Sequence, residues 1–493
     1  MLLLGIDIGT SSVKVTVVDS ATQNAVASAQ YPDTESLITV NGPGWAEQSP
    51  DMWWAQFEQA MQICNNNGNY NPKDIAAIGI AYQMHGLVLV DKDQKLLRDS
   101  IIWCDSRSVE IGNKAFEAIG ENKCLTHLLN SPGNFTASKL AWVKENEPQI
   151  YDKVDKMMLP GDYISMKLTG EINTSVSSLS EGIFYDFVND CLSDDVINYF
   201  GFNRSVFPEI QPVFTAHGGL LESVASKLKL KAGIPVTYKS GDQPNNALSL
   251  NVFNPGEVAA TAGTSGVIYG VSDQLAYDPQ SRVNTFAHVN YTAEQKRLGV
   301  LLCINGTGRM YSWAKHLFGS SLSYNQMNDK AAQAPVGSDG LRILPFGNGV
   351  ERMLNNHPVG AQFYNIDLNI HGQSQIFRAV QEGIACAFRY GLDIMRENGM
   401  NPGVIRAGKA NLFLSDSFAE IFVNATGVPI ELYKNDGSAG AALGAGIGAG
   451  IFKSPSEAFS NFEKIKVIEP TATAQFEPIY QEWKELLTKQ LPA

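Results

Sequence analysis

The stretch LLLGIDIGTSS places an acid, Asp7, inside an apolar run and follows it with Gly9, Thr10 and Ser11. Aspartate is depleted in strands, and burying a polar group without a partner costs about 2–7 kcal/mol, so Asp7 needs something to face. A Gly-Thr-Ser turn supplies one answer, because its backbone N–H groups and hydroxyls form a concavity suited to phosphate oxygens without a lysine. The same device recurs in GEVAATAGTSGVIYGV, where Gly263, Thr264 and Ser265 follow another apolar run. Either turn alone reads as an ordinary hairpin turn; two of them facing one another across a cleft could hold a polyphosphate. Asp7 would then hold a hydrated Mg²⁺ beside it, since that ion takes hard oxygen ligands and keeps several waters. A second acid, Asp242, sits where IPVTYK passes through Ser240-Gly241 into DQPNNALSL. It reads equally as a helix N-cap and as a general base.

These groups need rigid elements behind them. After Gly9 the chain alternates, with Val13, Val15 and Val17 on one side and Lys14 and Thr16 on the other. That is the period of a half-buried strand, so GTSS predicts a hairpin. A Walker-type loop would read GxxxxGK[ST] and lead into a helix, and this turn does neither. SPDMWWAQFEQAM predicts a helix with Ser49 at its cap, Pro50 at its first position, and Trp53 and Trp54 as core candidates. DIAAIGIAYQMHGLVLVDKD reads as strand, break, strand. Helices are expected within 136–148, 150–168, 192–200 and 219–230, then over about 375–398 and 474–490. The run DGSAGAALGAGIGAG is not a flexible Gly/Ser linker. Small residues spaced this way let a helix approach a neighbour or a ligand closely.

At 493 residues the chain exceeds what one core usually holds, which favours two domains and a cleft between them. With 44% hydrophobic and 18% charged residues the composition is that of an ordinary globular protein. The formal charge of -13 argues against the extended basic surface of a nucleic-acid binder, while leaving room for a small anion held locally. No apolar run approaches the ~20 residues of a membrane span, and no basic leader precedes the first strand. The mature fold is therefore expected to begin at Met1 and to work in the cytosol. The six cysteines are scattered without a CxxC and the seven histidines are dispersed, so free thiols and no protein-built zinc or iron site are expected.

Taken in order and spacing, GIDIGTSS, GWAEQSPDMWW, QMHG, WCDSR, SGDQPNNA and AGTSG resemble the FGGY carbohydrate kinases from Gly5 to about Gly450. The resemblance implies an α/β fold of two ribonuclease-H-like (actin/hexokinase-type) domains hinged around a catalytic cleft. Residues 1–245 would form the sugar-binding domain and 246–493 the nucleotide-binding one. The implied reaction is transfer of the γ-phosphoryl group of ATP, with Mg²⁺, to a sugar hydroxyl, with Asp242 as general base. QMHG narrows the implied substrate to a small ketose, D-xylulose first, ahead of ribulose, gluconate or glycerol. Met84, His85, Trp103 and Asp105 would line the sugar pocket with Asp242. In it His85 would exchange hydrogen bonds with a hydroxyl, Asp105 would accept one, and Trp103 would offer an apolar wall. Asp7, Gly9, Thr10, Ser11, Gly263, Thr264 and Ser265 would face the nucleotide phosphates, with Asp7 on the metal. Arg107 is expected to turn away, leaving a pocket with few charges.

One stretch departs from the family pattern. Where most members carry Gly-Gly-Gly-Ala at the adenosine, this chain has AGKANLF. Gly408 still permits close approach of a nucleotide, and Lys409 reads equally as a phosphate neighbour and as a solvated loop cation. The competing class is an actin-like ATPase that moves a partner. Against it stand Asp242 within a sugar-type constellation and the lack of a recognisable appended peptide-binding domain. The expected partners are a small-molecule sugar and ATP, with no nucleic acid and no membrane; the sequence leaves a homodimer open.

Overall fold

The computed structural model describes residues 1–492. β1 (Leu2–Ile8) and β2 (Val13–Asp19) pair antiparallel with Asp7 opposite Lys14. The turn between them closes with the Gly9 N–H donating to the Ser12 carbonyl at 3.0 Å, so GTSS is the hairpin its flanking alternation requires. β3 (Ala25–Tyr31) adds to β2, and α1 (Pro50–Asn67) follows with Ser49 at its cap and Pro50 at its first position. Trp53, Phe57 and Met61 of α1 are buried in one core with Leu4, Ile6 and Ile8 of β1. The remaining elements of the first half that matter here are β4 (Ile75–Tyr82), α2 (Thr136–Asn146), α3 (Val176–Glu181), β5 (Val236–Gly241) and α4 (Asp242–Ser249). The sheet order is β3-β2-β1-β4-β5, with β1, β4 and β5 parallel. The helix expected over 150–168 is interrupted, because Lys156–Met158 pairs as a strand with Val88–Val90 and a new helix starts at Pro160. Proline lacks the N–H that a helix interior needs and suits a first turn.

The second half repeats the plan. It contains β6 (Val258–Ala262), β7 (Gly266–Ser272), β8 (Asn284–Ala287), β9 (Leu298–Ile304), α5 (Thr307–Phe318), α6 (Gln373–Glu397), β10 (Ile405–Gly408), β11 (Ile430–Tyr433), α7 (Gly437–Gly448) and β12 (Lys464–Ile468). Its sheet order is β8-β9-β7-β6-β10-β11-β12. Without the edge strands β8 and β12, the order and directions match the first sheet, with antiparallel β9, β7 and β6 followed by parallel β10 and β11. Each half is thus ribonuclease-H-like, and the two Gly-Thr-Ser turns are the visible part of a repeat that spans the topology.

The helices after the two fifth strands cross between the halves. α7 leaves β11 and lies on β1, β4 and β5 of the first sheet, while α4 packs on α7 and reaches β6 and β7. The alternation in β1 puts Leu3, Gly5 and Asp7 on the face that meets α7. A Cβ on Gly5 would lie 1.7 Å from the Ser438 carbonyl oxygen, and one on Gly79 would lie 2.0 Å from that of Ala441. The Gly/Ala run therefore brings a helix backbone directly against two strand backbones. The 245/246 division falls inside α4. Among the described residues no helix is long and apolar enough to cross a membrane.

Candidate active site

Because β1, β4 and β5 are parallel, their carboxyl ends emerge at one edge, the usual ligand position of open α/β sheets. Register puts Asp7 beside Ala81 and Tyr82 beside Gly241. Asp7, the Gly9–Ser12 turn, Gln83–Gly86 and Asp242 are thereby gathered from three distant stretches. From the second half, the residues after β11 close on the same edge. Asn435 donates to the Asn246 side chain at 2.9 Å, and Asn245 donates to the Gly437 carbonyl at 2.9 Å.

Asp242 opens α4 at its first position, and Gly241 holds the cap position. Burial pushes its carboxyl up to about 7, and the charge of Asp7 adds to this while Gln243 opposes it. Burial also pushes Asp7 up to about 6, with Asp436 adding and Lys14 opposing. Asp436 is a member of this cluster that the sequence reading missed. Its Oδ1 caps α7 by accepting from the Ser438 and Ala439 N–H groups at 3.0 and 3.4 Å, and its Oδ2 pairs with Lys14. Burial alone would raise Asp436, but Lys14 and Ser438 hold it below the usual carboxylate range. A Cβ on Gly437 would come within 2.4 Å of Asp7 Oδ2, so the first turn of α7 lies against that carboxylate. A dehydrated acid beside phosphate-suited turns fits Mg²⁺, which needs one or two carboxylates plus phosphate oxygens. Among the described residues no group of three His, Cys, Asp or Glu side chains forms a dedicated metal cage.

Just past the end of β4, His85 adopts a left-handed φ of 63° directly after Met84. Its Nδ1 lies 3.0 Å from the Glu181 carbonyl and so donates to it, which leaves Nε2 an acceptor without a protein partner among the described residues. Burial, aided by Lys139, pushes this imidazole down to about 3 and keeps it neutral. Phe135 and Phe286 flank the ring at 4.8 and 5.5 Å between centroids. Phe286 comes from β8, so the second half packs against this imidazole. Lys139 of α2 is fully buried and donates to the His85 carbonyl at 2.8 Å. Trp103 stands at the mouth, donating its indole N–H to Thr10 Oγ1 at 2.9 Å. Thr10 in turn donates to Gln83 Oε1 at 3.2 Å, so its hydroxyl is committed to the protein.

Asp105 does not serve the pocket as expected. Its Oδ2 accepts from the Ala46 N–H at 2.6 Å and from Arg107 Nε and Nη2 at 2.9 and 2.7 Å, and its Oδ1 accepts from the Arg107 N–H at 2.9 Å. Fully buried and fully paired, it anchors a loop. Arg107 turns away as foreseen, lying 3.9 and 4.8 Å from the Trp45 and Trp142 ring centres and pairing with Glu47 at 2.7 Å. A different cation, Arg352, approaches this region from the second half. It lies 5.8 Å from the Phe135 ring centre, donates weakly to the Ser281 carbonyl at 3.3 Å, and makes no ion pair among the described residues.

A cavity of about 430 Å³ opens on the second half, lined by Gly263, Thr264, Arg309, Tyr311, Tyr324, Asn328, Asn411 and Leu412 among others. The Gly308 and Arg309 N–H groups at the start of α5 donate to the Gly263 and Thr264 carbonyls at 3.0 Å, which fixes the turn. The remaining expected nucleotide residues do not line this cavity. Ser265 is outside the cavity lining, and the Ser11 carbonyl is taken by the Ser36 N–H at 2.7 Å. Gly408 ends β10 against Asn435. Lys409 donates its N–H to the Tyr433 carbonyl and extends its ammonium to 3.9 Å from Asp416. Asn411, at a left-handed φ of 52°, carries the chain into the cavity in their place. The Gly-Thr-Gly of NGTGRM, which spans the cap and first turn of α5, was the available signal for this wall.

A family profile described as the FGGY family of carbohydrate kinases, N-terminal domain, matches residues 2–249. The xylulose kinase of Escherichia coli (strain K12) is 29% identical over 500 residues, covering 100% of this chain and 99% of that protein. A solved structure described as a xyloylose kinase from Brucella ovis superposes with a TM-score of 0.89 at 25% identity, covering 99% of each chain. A gluconate kinase from Lactobacillus acidophilus shares the fold with a TM-score of 0.88 at 22% identity, covering 99% of this chain and 98% of that one.

Proposed function

The chain belongs to the FGGY family of carbohydrate kinases, and from that premise we propose that it uses ATP to phosphorylate a small neutral ketose, D-xylulose foremost, to the 5-phosphate. The Asp242 carboxylate takes the proton of the attacking hydroxyl as the new oxygen–phosphorus bond forms and ADP departs. Asp7 would hold Mg²⁺, which when bound neutralises charge on the phosphate oxygens. The Gly9 and Gly263 turns orient those phosphates from opposite sides, and the cavity beside Arg309 and Asn411 takes the nucleoside. Met84, His85 and Trp103 hold the sugar.

The observation that carries the neutral substrate is the tautomer of His85. With Nδ1–H committed to a carbonyl and the ring uncharged, the pocket presents a lone pair at Nε2. A hydroxyl can donate to it, whereas a substrate carboxylate would meet it unfavourably. The full-length likeness to a xylulose kinase supports the same choice. Arg352 favours a second reading, phosphorylation of a sugar acid, because a guanidinium without an acidic partner can bind a carboxylate bidentately. An ADP-release panel of ketoses, polyols and aldonates separates the two. The highest kcat/KM is expected with D-xylulose; a win for gluconate by tenfold or more, abolished in Arg352→Ala, would install the second reading.

A further inference from the structure

Glu181 ends α3 and is 2% exposed, yet its Oε1 has no hydrogen-bond partner. Its surroundings are those of the sugar pocket. The Glu181 carbonyl accepts from His85. A Cβ on Gly241, the residue before Asp242, would lie 2.8 Å from Glu181 Oε2 and 2.6 Å from Met84 Cγ. Glycine is required at 241 because the Glu181 carboxyl and the Met84 side chain fill the space a side chain would take. An acid is thus wedged beside Met84, His85 and the residue that precedes Asp242, with one oxygen unsatisfied. A buried unpaired oxygen is costly and survives where a ligand completes it.

We infer that Glu181 is a specificity-determining residue that reaches the bound ketose and hydrogen-bonds one of its hydroxyls at the closed end of the pocket. The inference rests on the ketose reading above. Burial drives this carboxyl well above its ordinary range. The Tyr82 hydroxyl and Lys139 oppose the shift while the charges of Asp242 and Asp162 add to it, and a carboxyl favoured in its protonated form can both donate and accept. Such a group complements the neighbouring His85 Nε2, which can only accept. Together they distinguish two adjacent hydroxyls by the direction of their hydrogen bonds, and a site built this way rejects sugars that lack the matching hydroxyl.

The test compares the full-length wild type with Glu181→Ala and Glu181→Gln on D-xylulose and a set of its deoxy analogues. Losing one such contact should lower kcat/KM for D-xylulose about 10- to 100-fold in Glu181→Ala, mainly through KM, with KM for ATP unchanged. Glu181→Gln keeps a donor and an acceptor and should stay within about threefold to tenfold of wild type. On the one analogue that lacks the contacted hydroxyl, the Glu181→Ala loss should shrink to near unity. An equal loss on every analogue, a parallel rise in KM for ATP, or no loss at all overturns the assignment. If Glu181→Ala does not fold, Glu181→Gln carries the comparison: its ratio to wild type must deviate for one analogue, and a constant ratio overturns the proposal. A wild type inactive on every ketose overturns the ketose reading and this inference with it. An active wild type with an indifferent Glu181 sinks the inference alone.

Discussion

Trp103 donates its indole N–H to the Thr10 hydroxyl at 2.9 Å while 52% of its surface stays open. One hydrogen bond therefore ties this indole to the Gly9–Ser12 turn, and its ring face is left open. A sugar laid on that face would dehydrate it. Ketose binding should shift the tryptophan emission of the wild type to the blue, and Trp103→Phe should lose most of the shift. KM for the ketose should rise about 2- to 10-fold, the scale of an aromatic contact. An unchanged KM with the full shift retained would place the sugar elsewhere.

Asp242→Asn should lower kcat by about 10²–10⁴-fold while ATP and sugar still bind, because the amide keeps the shape but cannot take a proton. The wild-type kcat/KM should rise with pH through a midpoint near 7 and level off above it, since burial pushes the carboxyl up to about 7 and only its ionised form is a base. Asp7 interacts with it, so the profile reports the pair rather than one residue. A pH-rate profile flat from 5 to 8 would contradict the assignment.

The same two acids should cost stability in the absence of ligands. Their folded values of about 6 for Asp7 and about 7 for Asp242 lie above the ordinary 3.8. The folded chain therefore binds more protons between these limits, and stability falls as pH rises through that window. Asp7→Asn and Asp242→Asn should melt at higher temperature than wild type at pH 8, with the gap narrowing at pH 5. Variants less stable than wild type at both pH values would show that the carboxylates are structural anchors.

Gly79→Ala tests the crossing helix. Its Cβ would meet a backbone oxygen of α7 at 2.0 Å, which no side-chain rotation relieves. Overpacking of this kind costs at least about 1–3 kcal/mol, readable as a lower urea midpoint. A wild-type midpoint would mean that α7 sits farther from the sheet.

Much of this was legible in the sequence where one local rule decides. The alternation around GTSS gave the hairpin, and Ser49-Pro50 gave the start of α1. The small residues from Gly437 onward signalled close approach, although not which surface they approach. What escaped depends on pairings between distant segments. Asp105 reads as a free acceptor until Arg107 folds back on it beside Trp45. Phe286 and Arg352 reach the pocket only because the second sheet packs there. Lys409 was undecidable alone because its partner, Asp416, lies on the following helix. Asp242 reads as either cap or base in the sequence, and the fold puts Gly241 at the cap position with Asp242 one residue inside the helix.

The placement of α7 also bears on how the chain emerges from the ribosome. The first sheet is complete in strands once Gly241 is made, but one of its faces waits for a helix that begins only at Gly437. Leu3, Ala77, Ala81 and Tyr238 share a core with Ala441, Ala442 and Ala445. At roughly 5–20 residues per second that face would stay uncovered for on the order of ten to forty seconds during translation. The nascent first half is thus a natural client for a holding chaperone, and truncation anywhere before α7 would strand it in that state.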